Sequence, residues 1–292
     1  MQTDQKMNRL KIAFLLLMCS YGAIGPVVRA ISLPTVVIVW ARAVISSLAL
    51  FLFLLFTPKK DWKECRSFLL PMLVSGVFCA VDWIGIFASY RYTTIATATL
   101  CYYMVPVLVM LGAAVFLHEP LTRRKWICIL VAFIGMIFVS GVAENGLPRL
   151  SEVKGVLLAL LGAVGYAGVI LINKKYPQGN PLMRTFFQLL TAAVIMTIYT
   201  LKTVDLAACT PTAKDIVLLL LLGVVMTAGA YVAYFTLILK IPSDTVAFFS
   251  YAEPVVAVLI SVLFLGEEFS VFTLLGGILI VGAAIIAELP EH

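Results

Sequence analysis

The sequence predicts an all-α integral membrane protein of ten transmembrane helices, arranged as two five-helix repeats of inverted topology. Three observations predict it. The 292 residues are 62% hydrophobic and only 12% charged, with a mean hydropathy of +1.07, well beyond the roughly half-apolar composition of a soluble domain. The apolar residues run in blocks of about twenty, the length that crosses a hydrocarbon layer as a helix. A stretch in the first half, residues 97–119, also recurs without gaps at 245–267. Ten spans would take roughly two thirds of the chain, which leaves no room for a soluble catalytic or nucleotide-binding domain.

The spans follow from the apolar blocks and the Lys, Arg, Pro and Gly residues that bound them. Span one, 11–31, is too long for a signal-peptide core and is followed by further spans, so no cleavable leader is expected. Its Gly25-Pro26 pair should break or kink it. Span two, 35–56, starts after Pro34 and carries Arg42. Span three, 68–90, carries Asp82 and stops at Arg91. Span four, 95–117, holds Pro106, and span five, 126–142, follows Arg123, Arg124 and Lys125. Span six, 154–172, ends before Lys174 and Lys175 and holds Gly162, Gly165 and Gly168, spaced for close helix packing. Spans seven, 182–201, and eight, 214–238, are bounded by Pro181, Lys202, Lys214 and Lys240. Span nine, 245–265, carries Glu253 and Pro254, and span ten covers 271–288.

The net charge of +6 sits in short loops and forms no basic face, so no nucleic-acid partner is expected. It reads as a topology signal. Alternating the loops puts thirteen Lys and Arg residues on one side and five on the other, with Arg29, Arg42 and Arg184 inside or at the ends of spans. By the positive-inside rule both termini are cytoplasmic and the protein is multi-pass in the cell (inner or plasma) membrane. Arg29 and Arg184 are expected to snorkel. The six cysteines include no C-x-x-C pair, so neither a disulfide framework nor a metal site is indicated. No cofactor is expected.

The recurring stretch aligns Thr97 with Thr245, Tyr103 with Tyr251, Pro106 with Pro254 and Glu119 with Glu267, a shift of 148 residues. At similar shifts Phe87 meets Phe235, Pro34 falls near Pro181, and Tyr21 meets Tyr166. Residues 1–148 and 149–292 are therefore read as two five-helix repeats. An odd number of spans per half starts the second copy from the opposite side, the arrangement from which many secondary transporters build alternating access.

Ten helices in two halves, each with a proline inside its fourth span and a terminal L-x-E (Leu117-His118-Glu119 and Leu265-Gly266-Glu267), resemble the EamA branch of the drug/metabolite transporter superfamily. The first half departs from the usual Gly-Glu ending by carrying His118. The resemblance implies a carrier of amino acids, other small metabolites or drugs, mostly an exporter, with a central cavity lined by both halves.

A charge at the centre of a span costs about 2.5–3.5 kcal/mol on insertion scales, so it needs a partner or a wet cavity. Arg42 and Asp82 fall at the same depth, roughly 10–12 Å below the outer surface at ~1.5 Å per residue. They could pair as a static lock between two helices or bind a substrate's charged groups. Glu253 lies near the midplane beside Pro254, where protonation would remove most of its insertion cost; it is the candidate proton-coupling group, or else a structural or cation-binding carboxylate. Helical spacing puts Tyr102, and not Tyr103, on the face matching that of Glu253, and aligns Thr227, Tyr231 and Tyr234 on span eight with Cys79, Trp83 and Ile86 on span three. Trp83, Tyr102, Tyr231 and Tyr234 lie deep enough to line a pocket, or simply pack as core. Tyr90, Tyr92 and Trp126 fit the membrane interface. Tyr166 is open between packing and pocket. Glu119 and Glu267 read as structural span ends.

The candidate substrate-binding set is Arg42, Asp82, Trp83, Tyr102, Tyr231, Tyr234 and Glu253, with no catalytic group and no metal. No phosphate-binding loop or zinc helix occurs. The first reading is a secondary transporter, not an enzyme: a monomer among membrane lipids that exports amino acids or related small metabolites, coupled to protons. The alternatives are a passive facilitator, a carrier of quaternary amines or other cations, and an intramembrane enzyme using Asp82 and Glu253 on a lipid-linked substrate.

Overall fold

The computed structural model describes residues 2–56, 65–118, 121–139, 150–237, 240–241, 252–253, 256, 260, 263 and 270–288. Among these residues all regular structure is helical. In chain order the helices are α1 (Gln2–Gly22), α2 (Ile24–Arg29), α3 (Thr35–Phe56), α4 (Cys65–Ser89), α5 (Ile95–Tyr102), α6 (Val105–Phe116), α7 (Arg123–Val139), α8 (Leu150–Lys175), α9 (Pro181–Thr203), α10 (Ala213–Leu220), α11 (Ala230–Leu237) and α12 (Val271–Glu288). A wider π-helical stretch, Leu221–Gly229, joins α10 to α11. Among the described residues six segments are long and apolar enough to cross a membrane: Met7–Arg29, Thr35–Phe56, Arg66–Ser89, Glu152–Lys175, Pro181–Thr203 and Ala213–Leu237. The protein is a multi-pass membrane protein. Most of span nine lies outside the described residues, as do Pro254, Glu119, Glu267 and the junction at 148–149.

Among the described residues three of the expected spans are not continuous α-helices, and each interruption has a local cause. Pro26 cannot donate to the carbonyl of residue 22, and its ring crowds that carbonyl. The helix accordingly stops at Gly22 and restarts at Ile24, with Val27 N bonding Ala23 O at 3.2 Å. Pro106 does the same to Tyr102. The fourth span is thus two helices joined by Tyr103 and Met104, whose amides fall back on Leu100 O and Cys101 O at 3.1 Å each. In the eighth span the Thr227 hydroxyl donates to Leu222 O, five residues earlier, at 2.7 Å, within the widened turn.

Close packing centres on α4 and α8. The two helices meet over most of their length, and their glycines set the approach. A Cβ on Gly165 would stand 2.5 Å from Asp82 N, and one on Gly85 2.5 Å from Gly162 N, so only hydrogen fits. α4 also packs on α9, α3 on α9 and on the π stretch, and α7 on α12.

Side-chain ties join the segment ends. Asp215, 1% exposed, accepts from Ser32 N at 2.9 Å and Ser32 Oγ at 2.6 Å, and closes a capping box with Thr212 at the start of α10. Lys154 donates to Tyr92 Oη at 2.9 Å, and this cation lowers the pKa of the Tyr92 phenol from its ordinary value. At the opposite end of α8, Lys175 donates to Phe116 O at 3.3 Å. Arg184 corrects the snorkelling expectation. It is buried, and its guanidinium donates to Pro177 O at 3.0 Å and to Asn173 Oδ1 at 2.9 Å. The unpaired carbonyls of the α8–α9 turn draw it inward.

Candidate substrate-binding cavity

A cavity of about 100 Å³ lies among the interrupted spans, and Arg42, Asp82, Trp83, Tyr102, Tyr231 and Glu253 all line it. Six of the seven candidates from the sequence therefore meet in one place. The seventh, Tyr234, is set apart. It does not border the cavity but packs against Tyr21 and Phe14, with ring centres 6.5 and 5.9 Å apart.

Arg42 and Asp82 are brought to the same cavity but are not joined as an ion pair among the described residues. Arg42, 4% exposed, instead donates from Nε to Thr227 Oγ1 at 2.6 Å. Its guanidinium lies 4.5 Å from the centre of the Trp83 ring and 5.9 Å from that of Phe87, within range of cation–π attraction. The π stretch presents Thr227 to it, since a continuous α-helix would turn this hydroxyl through a different angle. Asp82, 2% exposed, accepts from Tyr102 Oη at 2.9 Å. Gly165 against its backbone lets α8 pass close enough for Tyr166 to stack on Tyr102, the rings 6.0 Å apart and 18° from parallel.

Tyr103, set aside on helical phase, also lines the cavity. The phase argument assumed an unbroken fourth span, and the break at Tyr103 and Met104 lets two consecutive tyrosines face the same space. The Tyr103 hydroxyl stands near the Glu253 carboxylate without closing a hydrogen bond of standard geometry. Tyr21 and Tyr166 also line it; their alignment with each other in the sequence was the signal that would have nominated both. Tyr90, expected at the interface, borders the cavity too. Trp126 is 50% exposed.

The arrangement places one guanidinium and two carboxylates inside a wall of aromatic rings. It offers hydrogen-bond donors and acceptors to a charged solute. Among the described residues no His, Cys, Asp or Glu cluster could hold a metal.

Comparison with known proteins agrees with this architecture. A crystal structure of another protein superposes with a TM-score of 0.68 at 17% identity, over 96% of this chain and 98% of that one. The uncharacterized transporter YxxF of Bacillus subtilis is 24% identical over 92% of this chain and 86% of its own length. The S-adenosylmethionine uptake transporter of Rickettsia conorii is 24% identical over 82% and 78%. The profile of the EamA-like transporter family matches twice, at residues 10–141 and 153–288. The chain belongs to the EamA-like transporter family.

Proposed function

We propose that the protein is a secondary active transporter that moves amino acids or closely related small zwitterions by alternating access, with Glu253 as its proton-coupling group and export as its direction. One observation carries the substrate class. Arg42 is buried with a hydroxyl and aromatic rings as its partners, while Asp82 and Glu253 line the same cavity. Among the described residues no carboxylate closes an ion pair with Arg42; a solute carboxylate would close one, and its ammonium would meet Asp82 and Glu253, so a zwitterion satisfies both ends at once.

Two matches to one family profile support reading residues 1–148 and 149–292 as repeats. Helix contacts support it as well, because they exchange in pairs between the halves. Span three packs on span seven as span two packs on span eight, and span three packs on span six as span one packs on span eight. Inverted halves that rock about a midplane site would open it to each side in turn. Ten spans can enclose this pathway within one chain, so a monomer suffices. The charge distribution supports cytoplasmic termini, and with them an external position for the Ser32, Tyr92 and Asp215 end.

The relative named as an S-adenosylmethionine uptake transporter favours a second reading, import of a larger sulfonium amino acid. The aromatic wall suits such a cation. About 100 Å³ holds only a handful of waters at about 10–15 Å³ each, so that substrate requires the cavity to widen.

The test is flux in proteoliposomes with radiolabelled methionine, lysine, S-adenosylmethionine and choline, under imposed pH gradients of either sign. Acceleration by the gradient in wild type and indifference to it in Glu253→Gln support coupled transport. Equal flux with and without a gradient makes the protein a passive facilitator. Choline moving alone assigns it to quaternary amines, and no flux of any of the four overturns the substrate class.

A further inference from the structure

A second cavity, of about 250 Å³, lies toward the end of the bundle that carries Ser32 and Asp215. Trp83 and Phe87 line it as they line the central cavity, so these two rings are a shared wall. Val36, Val39, Leu158 and Met196 make its sides apolar. Among the described residues its charged lining residues are Arg91 and Lys154, with no carboxylate beside them. Neither cation has an ion-pair partner among the described residues. Lys154 is held by Tyr92, its Nζ 4.3 Å from the ring centre.

We propose that this cavity is a binding site for an amphipathic anion, whose carboxylate or phosphate meets Arg91 and Lys154 and whose apolar arm lies against Trp83 and Phe87. The reasons are charge and shape. Two exposed cations stand together at the mouth of an apolar pit, and an anion with a hydrocarbon or aromatic arm satisfies the positive rim and the pit together. An anion without such an arm would leave the pit empty, and an uncharged hydrocarbon would gain nothing from the two cations. The occupant is separated from Arg42 by one layer of rings, because Arg42 lies on Trp83 at 4.5 Å. The site does not depend on the transport reading. Its ligand comes either from an anionic lipid of the surrounding leaflet or from a dissolved solute.

Trp83 reports on the site directly. With Trp40, Trp62 and Trp126 changed to Phe, Trp83 is the sole tryptophan, and bromine brought against it quenches its fluorescence. One arm places the protein in nanodiscs of brominated phosphatidylglycerol or brominated phosphatidylcholine; the other adds 4-bromophenylacetate to nanodiscs of unbrominated phosphatidylcholine. Saturable quenching by phosphatidylglycerol identifies a lipid source, and saturable quenching by 4-bromophenylacetate a solute source. In either arm Arg91→Gln with Lys154→Gln should weaken the apparent affinity about tenfold, while Arg91→Lys keeps most of it. Quenching in neither arm, equal quenching by the two lipids, or an unchanged affinity in the double variant overturns the site. Should the tryptophan-depleted chain not fold, native mass spectrometry reads the same comparison. Phosphatidylglycerol or 4-bromophenylacetate retained on wild type and shed by the double variant supports the site, and equal retention or none overturns it.

Discussion

Tyr102 Oη donates to Asp82 Oδ1 at 2.9 Å from the last residue of α5, where Pro106 ends the helix. The bond ties a broken span to the carboxylate that α4 and α8 hold between them. Hydrogen bonds to a charged group contribute about 1.5–3 kcal/mol. Tyr102→Phe is therefore expected to weaken substrate binding about ten- to a hundredfold, measured by ligand-induced thermal shift, while the fold persists. Unchanged affinity would remove Asp82 and Tyr102 from the site.

Arg42 and Thr227 form the second relationship to test. Arg42→Lys keeps the charge but loses the planar group that lies on Trp83 and the Nε donor to Thr227, so transport should fall to near background. Thr227→Val, of similar shape, removes only the acceptor and should leave a partial rate. Equal activity of Arg42→Lys and wild type in proteoliposome flux would show that the guanidinium geometry does not matter.

Gly165→Ala tests the helix crossing. The added carbon would sit 2.5 Å from Asp82 N, and relief requires α4 and α8 to part. Overpacking of this kind costs about 1–3 kcal/mol, seen as a lower melting temperature in detergent. Gly282→Ala, where a Cβ meets nothing within 4 Å, is the control and should melt as wild type.

The Ser32–Asp215 tie should stiffen the bundle end. Asp215→Ala removes both bonds to Ser32 and the capping box, whereas Ser32→Ala removes only the Oγ donor. Melting temperature should fall in the order wild type, Ser32→Ala, Asp215→Ala. Equal values would show that the loop is held by other contacts.

His118 illustrates how a local rule reads differently once a fold is present. Its φ is +57°, the left-handed region where glycine costs least, and the proposed repeat aligns it with Gly266. His118→Gly should be neutral or mildly stabilising, and His118→Val, β-branched, should cost about 1–2 kcal/mol, both measured by melting temperature.

The six membrane-length spans among the described residues were legible because each is a local matter. Span two was expected at 35–56 and is Thr35–Phe56, since a blocked start at Pro34 and an apolar run are both visible in the chain. The Gly25-Pro26 break was legible for the same reason. The face of span four was not. Choosing Tyr102 over Tyr103 required a continuous helical phase, and Pro106 resets that phase. Arg184 was misjudged because its partners, Asn173 and the Pro177 carbonyl, belong to the preceding helix and turn.

What the sequence by itself determined is therefore the six membrane-length apolar helices found among the described residues and the residues too polar to face lipid. Hydrocarbon thickness and the need to satisfy every backbone group act on each segment alone. Only the tertiary structure decided which polar groups meet. Arg42 bonds Thr227, 185 residues away, rather than pairing with Asp82, and Tyr234 turns from the cavity while Tyr21 and Tyr103 line it. Those outcomes depend on how closely glycines let helices cross and on where prolines and a π turn shift the helical phase, and neither quantity is set until the helices pack.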